Sequence, residues 1–239
     1  LPISESNLSF YRIYRADGEG QPFLYVKDVP ASQRWYLDFR GYAPAGFQQT
    51  YRITAFNTSS QESAPSSVIA AATAPMNDDE LMDMVQRYTF RYFWDFGHPV
   101  SGMARERNTS GDIVTTGGTG FGVMAILVGI ERGYITRDQG LQRVIQIATF
   151  LQLVADRFHG AFPHWMNGNT GDVVPFSQFD NGGDLVETAF LIQGLLAARE
   201  YFNQNVPLEN SLRNVITDVW EDVEWDWFRK NNSQVLYWH

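Results

Sequence analysis

Hydrophobic and polar positions alternate with one period before residue 75 and with another after it. Residues 9–15 (SFYRIYR), 23–26, 35–39 and 50–56 (TYRITAF) are short β-type runs separated by turn residues, which predicts β-strands. In the fourth run Tyr51, Ile53 and Ala55 share one face and Arg52 and Thr54 the other, which predicts a half-buried strand. Residues 66–73 close the series after the polar turn NTSSQES. Beyond Ala74-Pro75 the spacing becomes helical. Asn77 is placed to cap a helix running to about residue 96, with Leu81, Met84, Val85, Tyr88 and Tyr92 on one side. Residues 117–131 predict a second helix, small and apolar on most faces. Thr136 caps a third, with Leu141, Val144, Ile145, Ala148 and Leu151 in a stripe opposite Gln142, Arg143, Gln146 and Gln152. A fourth opens at Asp184 with LVETAFLIQGLLAA, and a fifth follows Pro207, a residue suited to a first helical turn. Helices three and five read as amphipathic, two and four as apolar all round. That alternation predicts an outer helical layer around an inner one, whereas a four-helix bundle would carry one stripe per helix.

The chain thus divides into a β region, 1–75, and a helical region, 76–239, with room for two ordinary domains in 239 residues. No run approaches the roughly 18 apolar residues of a membrane span. The absence of cysteine removes disulfides and thiolate metal sites, and a net charge of −9 does not suit a nucleic-acid partner. Aromatics make up 15% of the chain, enough both for a large core and for rings that stack on sugars.

Candidate chemistry concentrates at the starts of the two apolar helices. FDNGGDLVET, residues 179–188, brings Asp180, Asp184 and Glu187 to the junction of a glycine turn and a helix. Positions i and i+3 share a helix face, so Asp184 and Glu187 point the same way, with Asp180 above them. Acids are favoured at a helix N-terminus by ~0.3–1 kcal/mol each. Three exceed what a cap needs, and a buried carboxylate is costly unless paired or used. DIVTTGGTGF, residues 112–121, has the glycines of a phosphate loop, but no Gly-Lys-Ser/Thr follows and no strand is predicted before it. Close approach of packed helices is the expected role of Gly117, Gly118, Gly120 and Gly122. Between the two motifs, FPHWMNGNTG presents His164 and Trp165 on a predicted turn, either as a packing pair or as a sugar platform. Asp78-Asp79-Glu80 with Asp83 has the composition of an aspartate-rich metal motif, yet its place in a first helical turn assigns it to capping. Asp180 to Asp184 lacks the alternating ligand spacing of a calcium loop. No metal or cofactor is expected. Arg105, in GMARERN, reads either as part of a solvated charge run or as a cleft-edge group.

Taken in order, RYFWDF, GMARERN, TTGGTGFGVMAI, FPHWMNGNTG and FDNGGDLVETAFLIQGLL resemble the bacterial glucoamylase-like domain of the endo-β-1,2-glucanase type, from about residue 78 to 239. The β region resembles the later strands of a fibronectin type III module, through its Y-x-I-x-A-x-N strand and serine-rich turn. The first resemblance implies an (α/α)6 toroid of which this chain carries only the first half, without a cofactor, and a periplasmic or secreted protein. It implies hydrolysis of β-1,2-glucan, a polysaccharide or oligosaccharide substrate, with inversion. Asp180, Asp184 and Glu187 match the family's acidic positions. Asp180, on the loop, is expected closest to the chemistry, with His164, Trp165, Arg105 and Phe179 as substrate-binding candidates. Inversion requires a second carboxylate about 6.5–9.5 Å from the first, which the resemblance places beyond His239. Two other functions share these residues: transglycosylation on β-1,2-glucan, and carbohydrate binding without catalysis by a surface protein.

Overall fold

A computed structural model describes residues 7–31, 36–41 and 43–238 and divides the chain into two compact units, Leu1–Leu81 and Met82–His239.

In the first unit β1 (Leu8–Ala16), β2 (Leu24–Pro30), β3 (Gln48–Asn57) and β4 (Ile69–Ala72) form one antiparallel sheet in the order β2-β1-β3-β4. The strand expected over 35–39 is not formed at 36–39, and Trp35 lies outside the described residues. The one-sided reading of 50–56 also needs correction. Ala55 is buried as expected, but so are Thr54 and Phe56 on the opposite face. Arg12 covers that face: its guanidinium lies 4.5 Å from the Phe56 ring centre and 5.3 Å from that of Tyr25, and it forms a fork with Asp28 at 2.8 and 2.9 Å. A long arginine shields rings with its stem and planar head, so a face that looks polar in sequence is half-buried in fact.

The second unit takes in most of α1 (Asp78–Trp94) and all of β5 (Ile113–Thr115), α2 (Thr116–Glu131), α3 (Arg137–Leu153), β6 (Trp165–Asn167), β7 (Val173–Val174), α4 (Leu185–Tyr201) and α5 (Pro207–Glu221). Their ends follow from local chemistry. Asn77 and Glu80 exchange bonds of 2.9 Å at the start of α1. Thr136 and Gln139 do the same for α3, each pair a capping box. Pro207 occupies the first turn of α5, where its missing N–H costs nothing.

Helix α2 packs chiefly on α4, and α3 on α5. Leu191, Leu195, Ile126, Val144, Ile147, Leu212 and Ile216 form the interior between them, each buried aliphatic side chain contributing about 1.5–3 kcal/mol. The α2–α4 crossing is closer than side chains allow. A Cβ on Gly120 would lie 2.1 Å from the Phe190 carbonyl oxygen, and one on Gly194 would lie 2.3 Å from the Gly120 oxygen. Of the glycines expected to serve close helix approach, only Gly120 does so against a helix backbone. Gly122 accommodates the Phe93 ring, and Gly117 the carboxylate of Glu187. Phe121, Met124 and Val128 of α2, with Val186 and Phe190 of α4, form an exposed apolar stripe.

Helices α2 and α4 begin at the end of the unit where α3 and α5 finish. The loops between them therefore gather at that end, together with a three-stranded antiparallel sheet in the order β5-β6-β7. Sequence periodicity misses this sheet because its strands have only two or three residues. β5 directly precedes the glycines of α2, contrary to expectation, although the Gly-Lys-Ser/Thr of a phosphate loop is still lacking.

Candidate active site

The acidic motif folds back on itself before α4 begins. The Asp180 N–H donates to the Ser177 oxygen at 3.2 Å, and the Phe176 N–H to the Asp180 oxygen at 2.9 Å. This turn lays the Phe176 ring on the His164 ring, with centres 4.1 Å apart and planes 25° from parallel. It also buries the Asp180 side chain to 3% exposure. Asp184 is fully buried and is the N-cap of α4. One of its oxygens accepts the Glu187 N–H at 3.0 Å, and the other lies 2.8 Å from His164 Nδ1. The same Nδ1 is 3.5 Å from an Asp180 oxygen. The hydrogen bond of the imidazole is thus to Asp184, with Asp180 just beyond hydrogen-bond reach on the same side.

His164 is held from both sides. Its backbone oxygen accepts from Thr116 N–H at the start of α2, and the Thr116 hydroxyl bonds the Pro163 oxygen. Two residues earlier, Phe162 accepts from Asp184 N–H at 2.7 Å and donates to the Thr188 hydroxyl at 2.8 Å. One short segment thus bridges the N-termini of both apolar helices, and the imidazole faces the two acids that precede α4. Glu187 joins from α4 and is half-buried: its Oε2 accepts the Gly117 N–H at 2.8 Å. A Cβ at Gly117 would come 2.4 Å from that oxygen, so the glycine makes the contact possible. The exposed N–H groups and positive dipole end of each helix favour the negative charge gathered there.

The sequence candidates therefore separate. Asp180, Asp184, Glu187 and His164 form one cluster. Trp165 lies beside it, half-buried, with its ring edge-on to His164 and Phe176. It is not on the predicted turn, which comes later at residues 168–171. It lies in β6, pairing with Thr115 on one side and Val174 on the other. Phe179 stands 74% exposed at the tip of the acidic turn. Arg105 closes its own loop, donating to the oxygens of Gly111 at 2.7 Å and Phe96 at 2.8 Å. Among the described residues none of its hydrogen bonds goes to an acid. Sequence reading missed Phe176, Thr116 and Thr188. Only Thr188 carried a signal, as the polar residue next to Glu187 on an otherwise apolar helix.

Donor atoms of His164, Asp180 and Asp184 lie within 4.8 Å of one another, a spacing that a cation could bridge. The 2.8 Å bond between His164 and Asp184 already accounts for the approach of that pair. Two acids converging on one imidazole at the base of a loop cluster can bind hydroxyl groups, move a proton and orient a water molecule.

No protein-family description matches the chain. Over its whole length it is 46% identical to an exo β-1,2-glucooligosaccharide sophorohydrolase (non-reducing end) of Parabacteroides distasonis, across 33% of that protein. The crystal structure of a β-1,2-glucanase from Parabacteroides distasonis superimposes with a TM-score of 0.81 at 46% identity, covering 98% of this chain and 33% of the other. An endo-β-1,2-glucanase from Chitinophaga pinensis, in complex with sophorotriose and glucose, gives a TM-score of 0.65 at 53% identity over 69% of this chain and 41% of the other. The chain spans about a third of the length of the curated relative it matches, and these three similar proteins are β-1,2-glucan hydrolases.

Proposed function

We propose that this chain belongs to a glycoside hydrolase that cleaves β-1,2-linked glucan or its oligosaccharides by acid–base catalysis with inversion. The observation that carries the reading is the pair of buried carboxylates, Asp180 and Asp184, converging on His164, in a chain 46% identical to a β-1,2-glucooligosaccharide sophorohydrolase. Both oxygens of Asp184 are engaged, one by the helix cap and one by the imidazole, which suits it to fixing geometry. Glu187 commits Oε2 to Gly117, leaving Oε1 for a sugar hydroxyl or a water. Asp180, on the turn and not on the helix, is the acid assigned to the chemistry. Inversion pairs it with a second carboxylate across the sugar.

The parallel inner pair α2 and α4, flanked by α3 and α5, supports assignment of the helical unit to the first half of an (α/α)6 toroid. The four-stranded sheet supports a partial fibronectin type III-like module. A periplasmic or secreted location accompanies this reading. The test is release of reducing ends from β-1,2-glucan by the full-length protein, with laminarin and starch as controls, alongside Asp180→Asn. The substitution keeps shape and removes charge and proton transfer, so turnover should fall by about 10²–10⁴-fold. A variant retaining more than a tenth of wild-type activity would remove Asp180 from the chemistry. A wild-type protein inactive on β-1,2-glucan would overturn the substrate assignment.

A further inference from the structure

The hairpin after α3 contains a residue that its geometry does not favour. Phe158 and Ala161 exchange backbone bonds of 2.8 and 3.0 Å across a two-residue turn. Both central residues have positive φ, His159 at 48° and Gly160 at 75°. That is the backbone of a type I′ turn, whose first position ordinarily takes asparagine, aspartate or glycine. A histidine held there is a departure that its surroundings must sustain.

The surroundings are aromatic. The His159 ring lies parallel to the Trp227 indole, with centres 3.9 Å apart and planes 13° from parallel. Phe158 is perpendicular to both, 4.8 Å from one and 5.1 Å from the other. Nearly equal distances place Phe158 beside the stack and not over it. Glu224 locks the arrangement: its carboxylate lies 2.9 Å from His159 Nδ1, and its N–H donates to the His159 oxygen at 3.0 Å. The indole is oriented from one side, yet 42% of Trp227 stays open to solvent. A core tryptophan is covered, and a loose surface tryptophan has no stacked partner. This one is braced and presented.

It is also close to the acids. A Cβ on Gly183, next to Asp184, would lie 3.3 Å from the Phe158 Cβ, and Phe162, four residues past Phe158, accepts the Asp184 N–H. Trp227 follows α5, which finishes at the end of the unit where α2 and α4 start. We infer that Trp227, braced by His159, is a second sugar-binding platform at the rim of the acidic site. It takes a pyranose of the glucan chain beyond the residues held over Asp180. This rests on the glucan-hydrolase reading above, and the chemistry is the stacking of axial C–H groups of a pyranose on an oriented aromatic face.

Affinity electrophoresis of the full-length protein through gels containing β-1,2-glucan tests it, in the Asp180→Asn background so that the polymer persists. Trp227→Ala should weaken retention about three- to tenfold, with Trp227→Tyr keeping most of it. His159→Asn, which suits the turn but removes the stacked ring, should lose part of it with the fold intact, and it carries the test should Trp227→Ala unfold. Folded Trp227→Ala and His159→Asn variants retained as strongly as the parent would overturn the platform alone. A parent not retarded by β-1,2-glucan at all would overturn the platform together with the glucan-hydrolase reading.

Discussion

Asp184 offers a direct separation of architecture from charge. Replacing it with alanine removes two bonds at once from a fully buried position. Loss of the α4 cap to Glu187 N–H costs about 1 kcal/mol. Loss of a hydrogen bond to a charged group costs roughly 1.5–3 kcal/mol, because the His164 N–H is left in a cleft shaped for a carboxylate. The sum, about 3 kcal/mol, corresponds to a fall of roughly 6–12 °C in melting temperature for a protein of this size. Asparagine caps helices as well as aspartate does. Its amide N–H can also donate to Nδ1 once the imidazole proton moves to Nε2. Asp184→Asn should therefore lie within about 1 kcal/mol of wild type. Thermal unfolding of both variants followed by circular dichroism measures the contrast. If Asp184→Ala melts within a degree or two of wild type, the cap and the imidazole bond do not hold the site together. If Asp184→Asn is as damaged as alanine, the charge matters to the fold and the bookkeeping above is wrong.

Trp165→Ala should raise KM for β-1,2-oligosaccharides about three- to tenfold, and its half-buried place in β6 adds a stability loss of about 1–3 kcal/mol. A lowered melting temperature with unmoved KM would make Trp165 a packing residue only. Gly120→Ala should be strongly damaging, since its Cβ would meet the Phe190 carbonyl at 2.1 Å. A loss above about 3 kcal/mol, or failure to accumulate folded protein, is expected. Gly182→Ala is the control: nothing lies within 4 Å of its would-be Cβ, and a change within ~0.5 kcal/mol is expected. Equal stability of the two variants would refute the close helix crossing.

What could be read from the residues and what could not divide along physical lines. The five helices were legible because periodicity and caps act locally: Asn77, Thr136, Asp184 and Pro207 each mark a start that the structure keeps within a residue. The acid cluster was legible because Asp184 and Glu187 share a helix face by spacing alone. His164 stood out beside Trp165 on a predicted turn, but its position against two acids depends on Thr116 and Thr188, far away in sequence. β5, β6 and β7 were invisible because strands so short are made by their neighbours and not by their own pattern. Arg52 misled in the β unit, since alternation sets it opposite the apolar face and yet it lies over the Phe23 ring. Arg105 looked like chemistry in a charged run, and the carbonyls it holds could not be foreseen without the path of its loop.

The contact between Gly120 and Gly194 has a kinetic meaning as well as a steric one. Two helices whose backbones touch, with no side chain between them to change rotamer, cannot slide or rotate past each other without parting. Glu187 rides on one of them and the amide that holds it on the other, so this part of the site moves as a single body. Amide hydrogens at the crossing should accordingly exchange with deuterium late, and those of Asn181 and Gly182 at the outer edge of the acidic turn much earlier.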